Sequence, residues 1–181
     1  MPTTIMLIRH GEKPTSPPPH GVDESGADDK NALIVRGWQR AGALTPFFRT
    51  PWVEGIKTPG VIYAAGTSDQ AMMIDGEDVA KSVRAEQTVT PLAQALSLNV
   101  HTQFQVGQED LLVASVERES GVVLVAWEHK HIPLIARRLS PAAPDTWPGK
   151  DVFDIVWVFA ASNGGYSFVS IPQDLLAGDS S

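Results

Sequence analysis

Residues 5–12 have the sequence IMLIRHGE, an apolar run of strand length that ends abruptly at Arg9, His10 and Gly11. A short apolar run of this kind is typical of a buried β-strand. In open α/β sheets, ligands bind at the carboxyl ends of the strands, so the polar pair after Ile8 lies where a functional site is expected. The glycine permits a backbone turn and the close approach of a ligand.

Outward from this stretch, strand patterns alternate with helical patterns. Ser82 is expected to cap the second helix, and Pro91 to kink that helix or end its first half. The order predicts an α/β fold, a three-layer α/β/α sandwich with a mostly parallel mixed sheet and a C-terminal β-hairpin. Strands are predicted over 5–8, 61–64, 100–104, 122–127, 154–161 and 166–171, and helices over 35–48, 83–96, 110–119 and 132–139.

Composition limits the classes of protein to consider. The chain of 181 residues has a net charge of −7 and no cysteine. Its length predicts one domain, residues 1–175, followed by a polar C-terminal tail, residues 176–181. A nucleic-acid binder would present a basic surface, and a membrane span would need about 18 consecutive apolar residues. We therefore expect a cytoplasmic protein that binds neither nucleic acid nor membrane, and its oligomeric state stays open.

Two further polar segments occupy comparable positions. Glu128 and His129 follow the most apolar of the predicted strands, residues 122–127. Arg84 is in the first turn of a predicted helix, where its charge opposes the helix dipole unless an anion is bound between them. A surface ion pair with Glu86 or a neighbouring acid is the alternative explanation for this arginine.

Together these segments resemble the histidine phosphatase superfamily, the group that includes the cofactor-dependent phosphoglycerate mutases. The four motifs stand in the family order and span residues 3–140. The resemblance implies the fold described above and an enzyme that transfers phosphoryl groups. It is carried by Arg9-His10-Gly11-Glu12, by residues 33–41 (LIVRGWQRA), by Arg84-Ala85-x-x-Thr88 and by His129 after a valine-rich strand.

The resemblance also implies a role for each site residue. His10 is the nucleophile and forms a phosphohistidine, which water then hydrolyses. Arg9, Arg84 and His129 bind the phosphoryl oxygens, and Gly11 belongs to the same binding site. No metal and no cofactor is required. The substrate is a small-molecule or protein phosphate ester.

Departures from the family pattern favour a phosphatase over a mutase. Residues 64–83 form a longer connection before Arg84 than the compact pattern has, and Lys130 follows His129 where glycine is frequent. The chain also lacks a match to the long insertion through which the mutases recognise phosphoglycerate. We therefore predict a phosphomonoester hydrolase. Phosphoglycerate mutase-type phosphotransfer and a non-catalytic phosphate-binding module on the same fold are the alternatives.

The acid that protonates the leaving group is the open part of the prediction. Glu128 is the first choice because it adjoins His129. Neighbours on an extended chain point to opposite faces, however, so the alternative role of Glu128 is to orient the backbone or Arg9. The other candidates are Glu109, Asp110 and Glu12.

The segment His129-x-His131 imitates a metal-binding pair. No cysteine or clear carboxylate partner completes such a site, so no metal ligand is predicted.

Overall fold

The fold is built on one six-stranded sheet, in a computed structural model that describes residues 1–15 and 18–179. The strand order is β5-β2-β6-β1-β7-β8, and a separate two-stranded hairpin is formed by β3 and β4. The strands are β1 (Thr4–Arg9), β2 (Val61–Ala64), β3 (Met73–Ile74), β4 (Glu77–Asp78), β5 (Val100–His101), β6 (Val122–Trp127), β7 (Ile155–Ser162) and β8 (Gly165–Pro172).

Helices cover the sheet and bury its central strands. They are α1 (Val35–Arg49), α2 (Arg84–Leu96), α3 (Glu109–Val116) and α4 (Ile132–Leu139). α1 packs on α2 and α3 packs on α4. All six residues of β1 are buried, as expected for an interior strand covered on both faces. Among the described residues, no helix has the length and apolar character needed to cross a membrane.

The predicted architecture is confirmed. β5, β2, β6 and β1 run parallel, β7 is antiparallel to β1, and the β7–β8 hairpin forms the edge. The parallel strands β1 and β6 are paired so that Arg9 lies beside Trp127. Their carboxyl ends therefore meet at one edge of the sheet, together with the end of β2.

Two local predictions are wrong, and a third is wrong in one of its two alternatives. β5 has two residues rather than the five of 100–104. Pro91 does not end α2, because its fixed φ is compatible with a helix and its missing N–H removes a single hydrogen bond, while a kink at Pro91 stays a prediction. Val83 rather than Ser82 occupies the N-cap, where no side chain bonds the helix.

A hairpin not predicted from the sequence lies between β2 and α2. We call residues 66–82 the β3–β4 segment. Asp75 and Gly76 join its two strands with φ of +52° and +79°, and positive φ at both central residues is what a type I′ turn requires. The segment extends over the carboxyl ends of β1, β2 and β6 and contributes Ile74, Asp75 and Val79 to the pocket there.

Residues 180 and 181 of the predicted tail lie outside the described residues. Before them, Asp179 turns back onto the body of the protein and pairs with Arg36 and Arg40 on α1. The domain boundary at residue 175 stays a prediction.

Candidate active site

A pocket opens where β1, β2 and β6 end, and we call it the polar pocket. Its lining includes His10, Arg84, Glu128 and His129, four of the residues that the sequence singled out. Its open volume is about 20 Å³, far below the roughly 300–1,000 Å³ of typical small-molecule sites. A site this narrow fits the small end of a substrate and leaves the rest of the molecule outside.

His10 is buried and presents one defined nitrogen to this pocket. Its Nδ1 lies 2.7 Å from the carbonyl oxygen of Gly11, and a carbonyl only accepts hydrogen bonds, so Nδ1 carries the proton. Nε2 therefore keeps its lone pair. Burial, and then the charges of Arg9 and Arg84, hold the pKa of His10 well below its ordinary value. The ring is neutral at pH 7, the state that a nucleophile requires.

Close packing of two glycines fixes the turn that carries His10. A Cβ on Gly11 would lie 3.1 Å from the carbonyl oxygen of Gly37, and a Cβ on Gly37 would lie 2.6 Å from that of Glu12. The Gly11 N–H donates to Thr88 Oγ1 at 2.7 Å, and this hydroxyl donates to the Arg84 carbonyl. The start of α1 and the beginning of α2 thus hold the turn that carries His10 from two sides.

Arg84 is buried and held on one edge of its guanidinium. Nε donates to Ala32 O at 3.3 Å, while Nη2 donates to Lys30 O at 2.8 Å and to Glu77 Oε1 at 2.5 Å. An acid therefore does pair with Arg84, but it is Glu77 rather than Glu86, and the arginine is buried rather than at the surface. With Nε and Nη2 engaged, Nη1 is the nitrogen left for a ligand in the polar pocket.

Arg9 lies next to His10 but does not line the polar pocket. Its Nη1 donates to Lys150 O at 2.6 Å and to Val152 O at 3.1 Å, and its Cζ lies 3.8 Å from the centre of the Phe153 ring. Burial lowers the pKa of Arg9 to about 10, so it stays charged at pH 7. Its Nε and Nη2 are buried without a hydrogen-bond partner among the described residues. Unpaired donors of this kind call for an explanation, and a bound anion supplies one.

His129 is oriented by the residue before it. Its Nδ1 lies in close contact with Glu128 Oε1, while Glu128 Oε2 accepts from the backbone N–H groups of Lys130 and His131 at 2.8 and 3.2 Å. The chain turns directly after β6, so Glu128 and His129 face the same pocket, and the alternation of an extended chain does not apply to them.

Comparison with solved structures identifies the fold. Protein histidine phosphatase SixA complexed with tungstate matches with a TM-score of 0.58 at 15% identity, over 94% of this chain and 97% of that chain. Mycobacterial glucosyl-3-phosphoglycerate phosphatase in complexes with VO3 matches at 0.55 and 14%, over 96% and 100%. Phosphoglycerate mutase from Plasmodium falciparum matches at 0.53 and 12%, over 98% and 96%. The chain has the histidine phosphatase fold.

The resemblance drawn from the four motifs is thus confirmed at the level of the fold. No family model and no curated protein matches the sequence. Phosphatases and a mutase share the histidine phosphatase fold, so the fold itself does not choose between these activities.

On this histidine phosphatase fold, three of the four acids proposed as proton donors lie outside the polar pocket. Glu109 Oε1 accepts from Gly107 N, Trp127 Nε1 and His131 Nδ1, each at 2.9 Å. Asp110 pairs with Arg138 at the surface, and Glu12 binds Arg36 and Arg40. Each of these carboxylates stabilises the scaffold.

Glu128, the fourth acid, lines the polar pocket as a carboxylate. Burial favours its neutral form, but the contact with His129 and the Lys130 N–H outweighs burial, and the pKa of Glu128 falls below its ordinary value. A group that is ionised at pH 7 and engaged on both oxygens orients His129 better than it donates a proton.

Two charged residues that line the polar pocket were not predicted from the sequence. Lys13 follows the turn that carries His10, and Asp75 stands at the tip of the β3–β4 segment. Lys13 pairs with Glu77, and Asp75 pairs with Lys130, so two ion pairs tie the β3–β4 segment to the rim. The Asp75-Gly76 dipeptide after Ile74 was the local signal for this hairpin.

No group of three or more histidine, aspartate or glutamate side chains within 1–15 and 18–179 is arranged to hold a metal ion. His131, one half of the imitated pair, is instead hydrogen-bonded to Glu109.

Proposed function

We propose that this protein is a phosphatase that hydrolyses phosphate monoesters through a phosphohistidine on His10. The observation that carries the proposal is a buried, neutral imidazole whose Nδ1 is committed to Gly11 O, beside Arg84 and His129 in one narrow pocket. A neutral nitrogen nucleophile surrounded by cationic and N–H donors suits attack on phosphorus.

The reaction proceeds in two displacements. His10 Nε2 attacks phosphorus, a P–N bond forms, and the ester P–O bond breaks with its electron pair passing to the leaving oxygen. Water then attacks the phosphohistidine, the P–N bond breaks, and the electron pair returns to Nε2. The leaving oxyanion takes up a proton from solvent, and the attacking water releases one to solvent. One water molecule is consumed, and the products are an alcohol or phenol and inorganic phosphate.

Protein cations stabilise the charge that develops on the phosphoryl oxygens. Arg84 Nη1, His129 Nε2 and Lys13 Nζ are the donors available from the lining of the polar pocket. Arg9 Nε and Nη2, buried without partners, supply a further donor edge next to His10. Preorganised donors of this kind are usually the largest catalytic contribution in phosphoryl transfer. We therefore propose that no metal ion is needed.

The leaving oxygen departs without help from a pocket carboxylic acid. The pKa of Glu128 is lowered, and the pair with Lys130 lowers the pKa of Asp75, so both acids are ionised at pH 7. This arrangement favours esters whose leaving group is stable as an anion, and it replaces the sequence-based assignment of Glu128 as the proton donor.

The test is the release of inorganic phosphate from an aryl phosphate in the presence of a chelator. We expect activity in the wild type, a loss on the order of 10³-fold or more in His10→Ala, and no loss in His20→Ala, whose side chain is exposed on a loop. Labelled phosphate should appear on His10 as an acid-labile adduct. Activity that requires a metal, or that survives in His10→Ala, would contradict the proposal.

Two further measurements, beside phosphate release, test the mutase and the phosphate-binding module as alternatives. Isomerisation of phosphoglycerate with the phosphate retained on the product would indicate a mutase. Vanadate binding without any transfer of labelled phosphate would indicate a phosphate-binding module.

A further inference from the structure

A second cleft adjoins the polar pocket and shares Gly66, Val79 and Val106 with it. It lies between the β3–β4 segment and the loop before α3, which contributes residues 105–108. Its open volume is about 200 Å³, against about 20 Å³ for the polar pocket. The two cavities therefore differ in size by an order of magnitude, and the larger one is adjacent to the reacting atoms.

The chemistry of this cleft is the opposite of that of the polar pocket. Within the described parts of the chain, no ionisable side chain lines the cleft, whereas Lys13, Arg84 and Glu128 line the pocket. The polar side chains of the cleft are uncharged, and the remainder are small or apolar. Those polar side chains are Ser68, Gln70, Gln105 and Gln108.

The walls of the cleft are held by backbone contacts. The Gly66 N–H donates to Phe104 O at 2.8 Å, and a Cβ at Gly66 would lie 2.0 Å from Thr102 O, so only glycine allows this approach. The Gln105 N–H donates to Gln108 Oε1 at 3.0 Å. This bond leaves the Gln108 amide nitrogen as a donor. The cleft is thus preformed, as small-molecule sites usually are.

We propose that this cleft binds the leaving group of the phosphate ester, and that the group it accepts is an uncharged, ring-sized alcohol or phenol bearing hydroxyl or amide groups. The inference rests on the proposed phosphatase function. The polar pocket is too small for a whole substrate, and this cleft continues from it past the shared residues Val79 and Val106. A charged leaving group would lose water there without gaining a counter-charge, whereas a neutral one gains amide partners.

The charged cleft on the other side of the β3–β4 segment is a poorer candidate. It is lined by Lys30, Glu77, Asp78 and Lys81 and shares no lining residue with the polar pocket. A leaving group attached to phosphorus beside His10 does not reach it through a common wall.

The experiment compares two aryl phosphates with phenols of similar acidity, 4-(hydroxymethyl)phenyl phosphate and 4-(carboxymethyl)phenyl phosphate. In the wild type we expect kcat/KM at least about tenfold higher for the neutral ester, the discrimination that one desolvated charge readily supplies. Gln105→Lys should shift this ratio at least about tenfold toward the carboxylate ester. Gln103→Lys, an exposed position on the same loop outside the cleft, adds the same charge and should leave the ratio unchanged.

The outcomes distinguish the cleft from the activity. If the wild type hydrolysed both esters with the same kcat/KM, or if both lysine variants shifted the kcat/KM ratio by the same factor, the leaving-group assignment would be overturned. The phosphatase function would stand in either case. Hydrolysis of neither ester by the wild type would overturn the proposed function, and the cleft assignment with it.

Discussion

At the scale of single residues, the environment of His10 keeps its imidazole neutral, the state that the proposed nucleophile requires. Burial removes the water that would stabilise an imidazolium, and Arg9 and Arg84 repel a further positive charge. The contact with Gly11 O then selects which nitrogen is free. The result is a lone pair on Nε2 at pH values where an exposed histidine is protonated.

This environment predicts opposite titration of two histidines. Through its hydrogen bond Glu109 raises the pKa of His131, whereas burial lowers that of His10. As pH falls through about 6.5, the ordinary histidine value, His131 should already be protonated and His10 should stay neutral. Below about pH 6.5, unfolding lets His10 take up a proton that it cannot hold when folded, so its burial lowers the free energy of unfolding. His131 holds its proton more tightly when folded and offsets part of this loss.

The measurement is an NMR titration of the histidine rings between pH 5 and 8. Glu109→Gln should lower the midpoint of His131 and leave His10 unchanged. A midpoint for His10 at or above 6.5 would remove the basis for its role as a neutral nucleophile.

Arg84 is the residue whose loss should separate binding from folding. Arg84 lines the polar pocket with Nη1 left for a ligand, so Arg84→Ala should lower kcat/KM on the order of 100-fold, or about 2.7 kcal/mol. It should also weaken vanadate binding. Arg84→Lys should restore little, because one ammonium cannot replace the bonds to Ala32 O, Lys30 O and Glu77 and also present a donor to the pocket.

The matched control for this substitution is Arg118→Ala, an exposed arginine just after α3. It should change neither vanadate affinity nor kcat/KM. Calorimetric titration with vanadate and a melting curve on each variant make the comparison. Wild-type vanadate affinity in a folded Arg84→Ala protein would exclude Arg84 from the anion site.

At the scale of elements, long sequence patterns predicted the bounds of their strands and helices correctly, and short ones did not. β6 and α4 have the predicted bounds, because a continuous apolar run and a periodic stripe each extend over several residues. β3, β4 and β5 have two residues each, too few for any periodicity. Their pairing is decided by contacts with distant parts of the chain.

Alanine substitutions at Gly37 and Gly42 of α1 test how closely this helix packs against the turn that carries His10. A Cβ at Gly37 would lie 2.6 Å from Glu12 O, a backbone atom that cannot move aside cheaply, whereas a Cβ at Gly42 meets nothing within 4 Å. Gly37→Ala should therefore destabilise the protein by about 1–3 kcal/mol. Gly42→Ala should stabilise it by about 0.5–1 kcal/mol through helix propensity.

Urea denaturation of both variants measures the two effects on one helix. Gly37→Ala should also lower kcat/KM in the fraction that remains folded, because the turn that carries His10 is displaced. If Gly37→Ala and Gly42→Ala were equally tolerated, contact between α1 and the turn that carries His10 would not explain the glycine at position 37.

At the scale of the whole molecule, the candidate site is assembled from segments far apart in sequence. Parallel pairing of β1 with β6 brings His10 beside the Glu128–His129 turn, and motifs at strand ends made this foreseeable. The contributions of Lys13, Asp75 and Glu77 were not foreseeable, because they depend on where the β3–β4 segment folds over the sheet. That placement follows from tertiary ion pairs rather than from local propensity.

The segment of residues 175–179 is held against α1 by Asp179. Asp179 accepts from Arg40 Nη2 at 2.7 Å and from the backbone N–H groups of Leu175 and Leu176 at 2.9 and 3.0 Å. Arg40 also binds Glu12 at 2.8 Å, and Glu12 directly follows His10 and Gly11. One buried arginine thus links the C-terminal segment to the site.

This link predicts how stability responds to acid. Burial alone would raise the pKa of Asp179, but Arg40 and the two N–H groups outweigh it and lower the value to about 2. The depressed pKa means that the link stabilises the folded state fully above about pH 4 and is lost as pH falls toward 2. Asp179→Asn should therefore lower the free energy of unfolding by about 1–3 kcal/mol at pH 7, with a smaller difference from the wild type near pH 2. Asp145→Asn, whose side chain is 79% exposed in its pair with Arg137, is the matched control and should change stability little at either pH. A difference for Asp179→Asn that stays constant across this pH range would mean that its charge contributes nothing to holding the C-terminal segment in place.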